Sequence, residues 1–436
     1  MNFIPCISWV KQGVSKAIPD KVKLNQEELE SIIKKTQQDI EDADDSGTEN
    51  VTPSAGGTNN ADDEYDFEHY DDDPDPADDP HHPLALGTVA VSLTDSGAQD
   101  GSDDDDSEKS DFEIHPGDNL ILAGHVDDDC GILDVYIYNE DEGYLYVHHD
   151  LFLPSLPLCF TWLNHEPGEA TPGNLVAVGS MSSVIDVWDI DIVDCLEPAF
   201  QLGRKASKKK KIKAKGHKKA VLDLAWNHNL THILASGSAD ETVLLWDLDN
   251  GEPSNKLENF GAPVQALAWH PTTSYGLLTG CCDKIVRAYD CRTDNTFLEF
   301  PVPGEVERVA WNHFNSFYFL TSTDAGNIHC FDTRNQKQLW QINQAHSKEV
   351  TGLSLSCSCP GLLVTGSMDG RLLIWDILDA SQDAPPTLVD EKALSVGAIY
   401  TIQTSPDAPF VVSVGGDNKE NLFTVWHMEE SEAGLL

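Results

Sequence analysis

Stacked by their alternation of apolar and polar positions, four stretches of the chain fall into one register. They read AVLDLAWNHNLTHILASGSADETVLLWDL (220–248), PVQALAWHPTTSYGLLTGCCDKIVRAYDC (263–291), EVERVAWNHFNSFYFLTSTDAGNIHCFDT (305–333) and EVTGLSLSCSCPGLLVTGSMDGRLLIWDI (349–377). Each holds three short runs with the strand period of two. The first run ends in an aromatic or aliphatic residue, the second in a small pair such as Gly-Ser, and the third in aromatic-Asp. A turn carrying an aspartate (Asp240, Asp283, Asp324, Asp369) separates the second run from the third. The aromatic-Asp ends fall at Trp246, Tyr289, Phe331 and Trp375, a nearly constant period.

The same register extends outward to Trp188-Asp189, Trp426-His427 and Tyr138-Asn139, which makes seven repeats. The first run has its own marker: Trp162, Trp226, Trp269 and Trp311, with SLS and IQT in the last two repeats and Trp9 of ISWV completing the set. Of the ten tryptophans, five occupy this position and four the third-run end, leaving only Trp340 elsewhere, so these indoles are packing elements. Burying each between neighbouring repeats contributes about 1.5–3 kcal/mol. The period and the Trp-Asp dipeptide resemble the WD-repeat family. That resemblance implies an all-β, seven-bladed β-propeller with one four-stranded blade per repeat.

CISWV (6–10) is therefore expected to open the first blade. The two markers stand at positions 226 and 246 in an ordinary repeat but at 9 and 138 in the first, so a long segment is inserted between its first and second strands. The expected organisation is a first strand at 1–10, an insertion at 11–116, the rest of the propeller at 117–428 and a short tail at 429–436. Within the insertion, NQEELESIIKKTQQDI (25–40) reads as a short amphipathic helix, docked on the propeller or offered to a partner. Residues 41–111 are acidic and poor in apolar groups, so disorder is expected there. Two islands interrupt that tract, EYDFEHYDDD (64–73) and PLALGTVAVSL (83–93). The second is expected to dock at 84–93 as a strand on the propeller edge, because the seventh repeat lacks an evident fourth strand. Ser46, Ser102 and Ser110 are each followed three positions later by an acid and are candidate sites for an acid-directed kinase.

Charge changes this picture locally. The net charge is −46, and residues 39–113 alone hold 26 acids against one lysine, which excludes a globally basic nucleic-acid binder. The ten cysteines show no C-x-x-C spacing and read as reduced, buried thiols of an intracellular protein. No apolar run approaches a membrane span and no signal peptide opens the chain, so a cytosolic or nuclear protein with no membrane partner is expected. One island is basic: RKASKKKKIKAKGHKK (204–219), comprising Arg204, Lys205, Lys208, Lys209, Lys210, Lys211, Lys213, Lys215, Lys218 and Lys219. A solvated loop, a nuclear-localisation signal and a phosphate-contacting segment all fit it. His217, Ser236, Asp240 and Trp246, echoed by His346, Thr365, Asp369 and Trp375, could be misread as a hydrolase triad. Their recurrence in two repeats instead predicts a structural hydrogen-bond network between strands. No phosphate loop, dinucleotide fingerprint, zinc-protease motif or nucleophile elbow is present, so neither catalysis, nor a cofactor, nor a small-molecule substrate is expected.

A broader resemblance covers nearly the whole chain. ISWV followed by GVSKAIPDKV, the acidic EYDFEHYDDD, DNLILAG (118–124), YVHHDL (146–151) and VIDVWDIDIVDCLEP (184–198) before a lysine run resemble the periodic tryptophan protein 1 family. That resemblance implies a nuclear and nucleolar protein acting in large-subunit ribosome assembly and ribosomal RNA processing. The implied partners are pre-ribosomal particles and assembly factors, with ribosomal RNA as a further candidate. A histone- or chromatin-binding role at ribosomal RNA genes is the alternative. One departure is the C-terminus, which stops soon after the seventh repeat.

Overall fold

A computed structural model describes residues 1–22, 113–169, 171–206, 213–293 and 296–428. The chain separates into two units, Met1–Val22 with Asp104–Leu436, and Lys23–Asp103. The second unit lies outside the described residues, as do the expected helix at 25–40, the expected docked strand at 84–93, and Ser46, Ser102 and Ser110.

The first unit is an all-β, seven-bladed propeller. Blade 1 joins Asn2–Val10 to Asn119–Asp127, Cys130–Asn139 and Tyr144–Leu153 in one antiparallel sheet. Blade 2 has its first three strands at Pro157–Leu163, Leu175–Ser180 and Ile185–Asp189, with Phe200–Leu202 outermost. Blades 3, 4 and 5 begin at Val221–Trp226, Val264–Trp269 and Val306–Trp311, and each has four strands. Blade 6 begins at Gly352–Leu355 and also has four. Among the described residues blade 7 has three: Ile399–Thr404, Val411–Gly416 and Phe423–His427.

The small pair that ends each second run has a steric cause. Second strands are sandwiched between blades, and the next blade's first strand lies directly against them. A Cβ on Gly280 would come within 2.5 Å of Val306 in the following blade, and one on Gly415 within 2.6 Å of Ile4. The contact that closes the ring from blade 7 to blade 1 is thus the same kind as the contact inside it. The first-strand tryptophans reinforce these junctions. The Trp269 and Trp311 indoles donate to Ala225 O (2.9 Å) and Ala268 O (3.1 Å) of the preceding blade. Trp9 Nε1 reaches Gln403 O at 3.1 Å and Ser413 Oγ at 2.9 Å in blade 7.

Both ends of the insertion are folded onto the propeller, which narrows the 11–116 segment read from sequence. Asp20–Lys21 pairs in parallel with Ile192–Val193, Lys16 N donates to Asp191 Oδ1 at 3.1 Å, and Ile114 N donates to Ala17 O at 2.7 Å. The thiols also depart from expectation. All ten are free, but only Cys6, Cys159, Cys281 and Cys330 are buried, and Cys130 is exposed.

Candidate functional site

In blade 3 the turn after the second strand brings four side chains together. His217 Nε2 and Ser236 Oγ are 2.7 Å apart, His217 Nδ1 and Asp240 Oδ1 3.2 Å, and Trp246 Nε1 donates to Ser236 Oγ at 2.8 Å. Thr242 Oγ1 adds a 2.6 Å hydrogen bond to Asp240. Blade 6 repeats the arrangement: His346 Nε2 to Thr365 Oγ1 is 2.9 Å, His346 Nδ1 to Asp369 Oδ1 3.3 Å, and Trp375 Nε1 donates to Thr365 Oγ1 at 3.0 Å. Ser236 and Thr365 are completely buried, so neither hydroxyl can meet a substrate. Burial works against the charge on Asp240, yet hydrogen bonds from His217, Thr242 and the Lys218 N–H hold its carboxyl well below the usual range. Burial lowers the His346 pKa, and the Asp369 charge opposes it only in part.

Other blades solve the same position differently, and repeat spacing alone did not reveal how. Asp283 of blade 4 has Phe260 where Asp240 has His217. Arg287 takes over, donating from Nη2 to Asp283 Oδ2 at 2.8 Å while its guanidinium lies 5.4 Å above the Phe260 ring. Blade 5 keeps a buried hydroxyl, Thr321, at the Ser236 position but has Val302 and Phe331 where the histidine and tryptophan stand. Phe331 packs on Phe319 and on Phe300 from the outer strand of blade 4, with ring centroids 4.9–5.4 Å apart. In blade 2, Val178 occupies the register position of Ser236, and among the described residues the buried Trp188 indole N–H has no acceptor.

The basic island stands against the first of these networks. Lys208, Lys209, Lys210 and Lys211 lie outside the described residues. The base of the loop is described: Arg204 and Lys215 form an antiparallel bridge, with N–H···O distances of 2.8 and 3.0 Å. Gly203 and Gly216 flank it at φ of +88° and +94°, and a Cβ on Gly216 would lie 2.8 Å from the Trp246 ring. Only glycine accepts both that conformation and that approach. Lys215 is half-buried and paired with Glu252, whereas Arg204, Lys205, Lys213, Lys218 and Lys219 are exposed.

The first strands converge on a central cavity of about 220 Å³ lined by all seven blades. The residue three positions before each marker faces it, giving Cys6, Cys159, Asp223, Ala266, Arg308, Gly352 and Thr401. Enclosure raises the Asp223 pKa to about 6 against the opposing pull of Arg308 and the Leu267 N–H. Among the described residues no cluster of histidine, cysteine and carboxylate groups is arranged to hold a metal ion, and no helix is long and apolar enough to cross a membrane.

Known proteins resemble this chain at several levels. Residues 147–324 match the family model described as nucleolar protein 10-like, N-terminal domain, and residues 337–376 match the WD domain, G-beta repeat. The periodic tryptophan protein 1 homolog of Drosophila melanogaster is 38% identical, over 96% of this chain and 92% of its own length. Periodic tryptophan protein 1 of Saccharomyces cerevisiae is 29% identical, over 96% of this chain and 87% of its own. A chain in the crystal structure of the mitotic checkpoint complex shares the fold, with a TM-score of 0.54 and 18% identity over 71% of this chain and 84% of that one. The seven repeats, the insertion behind the first strand and a likeness spanning almost the whole chain lead to one conclusion: the chain belongs to the periodic tryptophan protein 1 family of WD-repeat propellers.

Proposed function

We propose that this protein is a non-catalytic nucleolar scaffold in large-subunit ribosome assembly and ribosomal RNA processing. It engages pre-ribosomal assembly factors through the propeller faces and ribosomal RNA through the 204–219 loop. The observation that carries this reading is the match of residues 147–324 to a nucleolar protein 10-like propeller, within a chain that resembles periodic tryptophan proteins from end to end. The described geometry is compatible with it, since the hydroxyls that mimic a triad are buried in structural networks. A histone-binding role is weaker. The histone acetyltransferase type B subunit 2 of Candida glabrata is only 22% identical over 47% of this chain.

Gradient sedimentation of the tagged full-length protein tests the proposal. Co-migration with large pre-ribosomal particles is the expected result. Its absence, together with histone co-purification, would favour the chromatin role instead.

A further inference from the structure

Because the strands are antiparallel, the loop after each first strand and the turn after each third strand lie at the same end of the blade. At that end blades 4 and 5 carry the same device. Tyr275 and Phe317, each immediately before a second strand, are 44% and 49% exposed. Arg292 and Arg334, each two residues beyond the aspartate of the aromatic-Asp pair, lie 5.3 and 4.5 Å over those rings. Each guanidinium donates two hydrogen bonds to its own aspartate, Asp290 (2.9 and 2.6 Å) or Asp332 (3.0 and 2.8 Å). The two loops are tied laterally, with His270 Nε2 and Ser316 O 3.0 Å apart. Phe314 of blade 5 is 42% exposed, and Leu378, which occupies the arginine position in blade 6, is 63% exposed. Blades 2 and 3 have Asp191 and Asp249 at that position, so the aromatic–arginine pairs and the exposed Phe314 and Leu378 form one arc across three neighbouring blades.

We infer that this arc is a protein-docking surface, and that its partner is a basic protein whose contact segment inserts aliphatic side chains among Tyr275, Phe314, Phe317 and Leu378. The inference rests on the scaffold reading and gives that scaffold an address. Aromatic and arginine side chains dominate binding energy at protein interfaces. Here both arginines are already immobilised by stacking and by their aspartates, so little side-chain freedom is lost on docking. The same pairing disfavours nucleic acid, because a phosphate approaching either guanidinium meets Asp290 or Asp332. The guanidinium N–H groups left over suit backbone carbonyls. Outside residues 39–113 the chain still carries a net charge of −21, which attracts a basic partner and repels an acidic one.

The test uses the full-length chain with Phe314→p-benzoylphenylalanine, irradiated in cells, with the adduct identified by mass spectrometry. The expected result is a dominant adduct to a segment of one basic protein, reduced at least about tenfold when Tyr275→Ser and Phe317→Ser are added. Both rings are about half exposed and stack on their arginines, so the thermal midpoint should fall only slightly, and a melt that stays cooperative and well above the assay temperature separates lost docking from lost folding. A nuclease-sensitive adduct, an adduct to another part of this same chain, no adduct, or one indifferent to the two serines would overturn the inference. Sedimentation of the wild-type chain is scored separately. Co-migration with particles but no adduct removes this surface and spares the scaffold; an adduct without co-migration does the reverse.

Discussion

At the scale of single residues, the energetics of the blade networks hinge on one oxygen. Ser236 Oγ accepts the Trp246 indole N–H and meets His217, so Ser236→Ala leaves a buried N–H without a partner. The expected loss is about 1–3 kcal/mol, read from the urea midpoint. Blade 2 offers the converse experiment, because Val178→Thr would place a hydroxyl where the Trp188 N–H lacks an acceptor among the described residues. That change should be neutral or stabilising, whereas Val176→Thr, with no orphan donor to meet, should cost about 1–3 kcal/mol. Asp223 makes a pH prediction. Its carboxyl titrates near 6 in the folded cavity and near the ordinary carboxylate value of about 3.9 when unfolded. Between those values the native state holds the extra proton, so this group's contribution falls as pH rises from about 4 to about 6. Asp223→Asn should remove that slope from unfolding curves taken across the window.

At the scale of elements, the first strand decides whether the ring exists. Trp9→Ala removes a buried indole and its two hydrogen bonds to blade 7, and should cost about 3–5 kcal/mol in equilibrium unfolding. Deleting residues 1–10 should abolish the cooperative melt, while deleting 41–80 should leave its midpoint in place; an unchanged melt for the first deletion would overturn the reading of Trp9. The strands were legible because packing recurs: an indole or a small pair in the same slot of successive repeats leaves a visible period. What substitutes for a missing network member was not legible. Arg287 replaces a histidine that would stand where Phe260 is, and Phe300 reaches Phe319 from the outer strand of the neighbouring blade, so these partnerships depend on tertiary contacts that no local spacing records. The anchoring of the 11–22 segment on blade 2 was hidden for the same reason, since Lys16 and its acceptor Asp191 are 175 residues apart.

At the scale of the whole molecule, charge is segregated rather than averaged. The 204–219 island announced itself by composition, but its clamp of Gly203 and Gly216 against Trp246 depends on a tertiary contact. Replacing Lys208, Lys209, Lys210 and Lys211 together with glutamine should leave the melt unchanged. If the loop contacts RNA, the log–log salt dependence of binding should become shallower by about 3, since each neutralised phosphate contributes about 0.7 to that slope. Loss of nuclear accumulation with an unaltered salt slope would assign the loop to import alone. Ring closure has a temporal side as well. Trp9 leaves the ribosome long before its acceptor Gln403, which lies 394 residues further along. At about 5–20 residues per second the ribosome takes about 20–80 s to supply it. Throughout that interval the nascent chain carries an unfilled flank on blade 1, and the growing arc is most open to chaperones and proteases before the finished protein has met any partner.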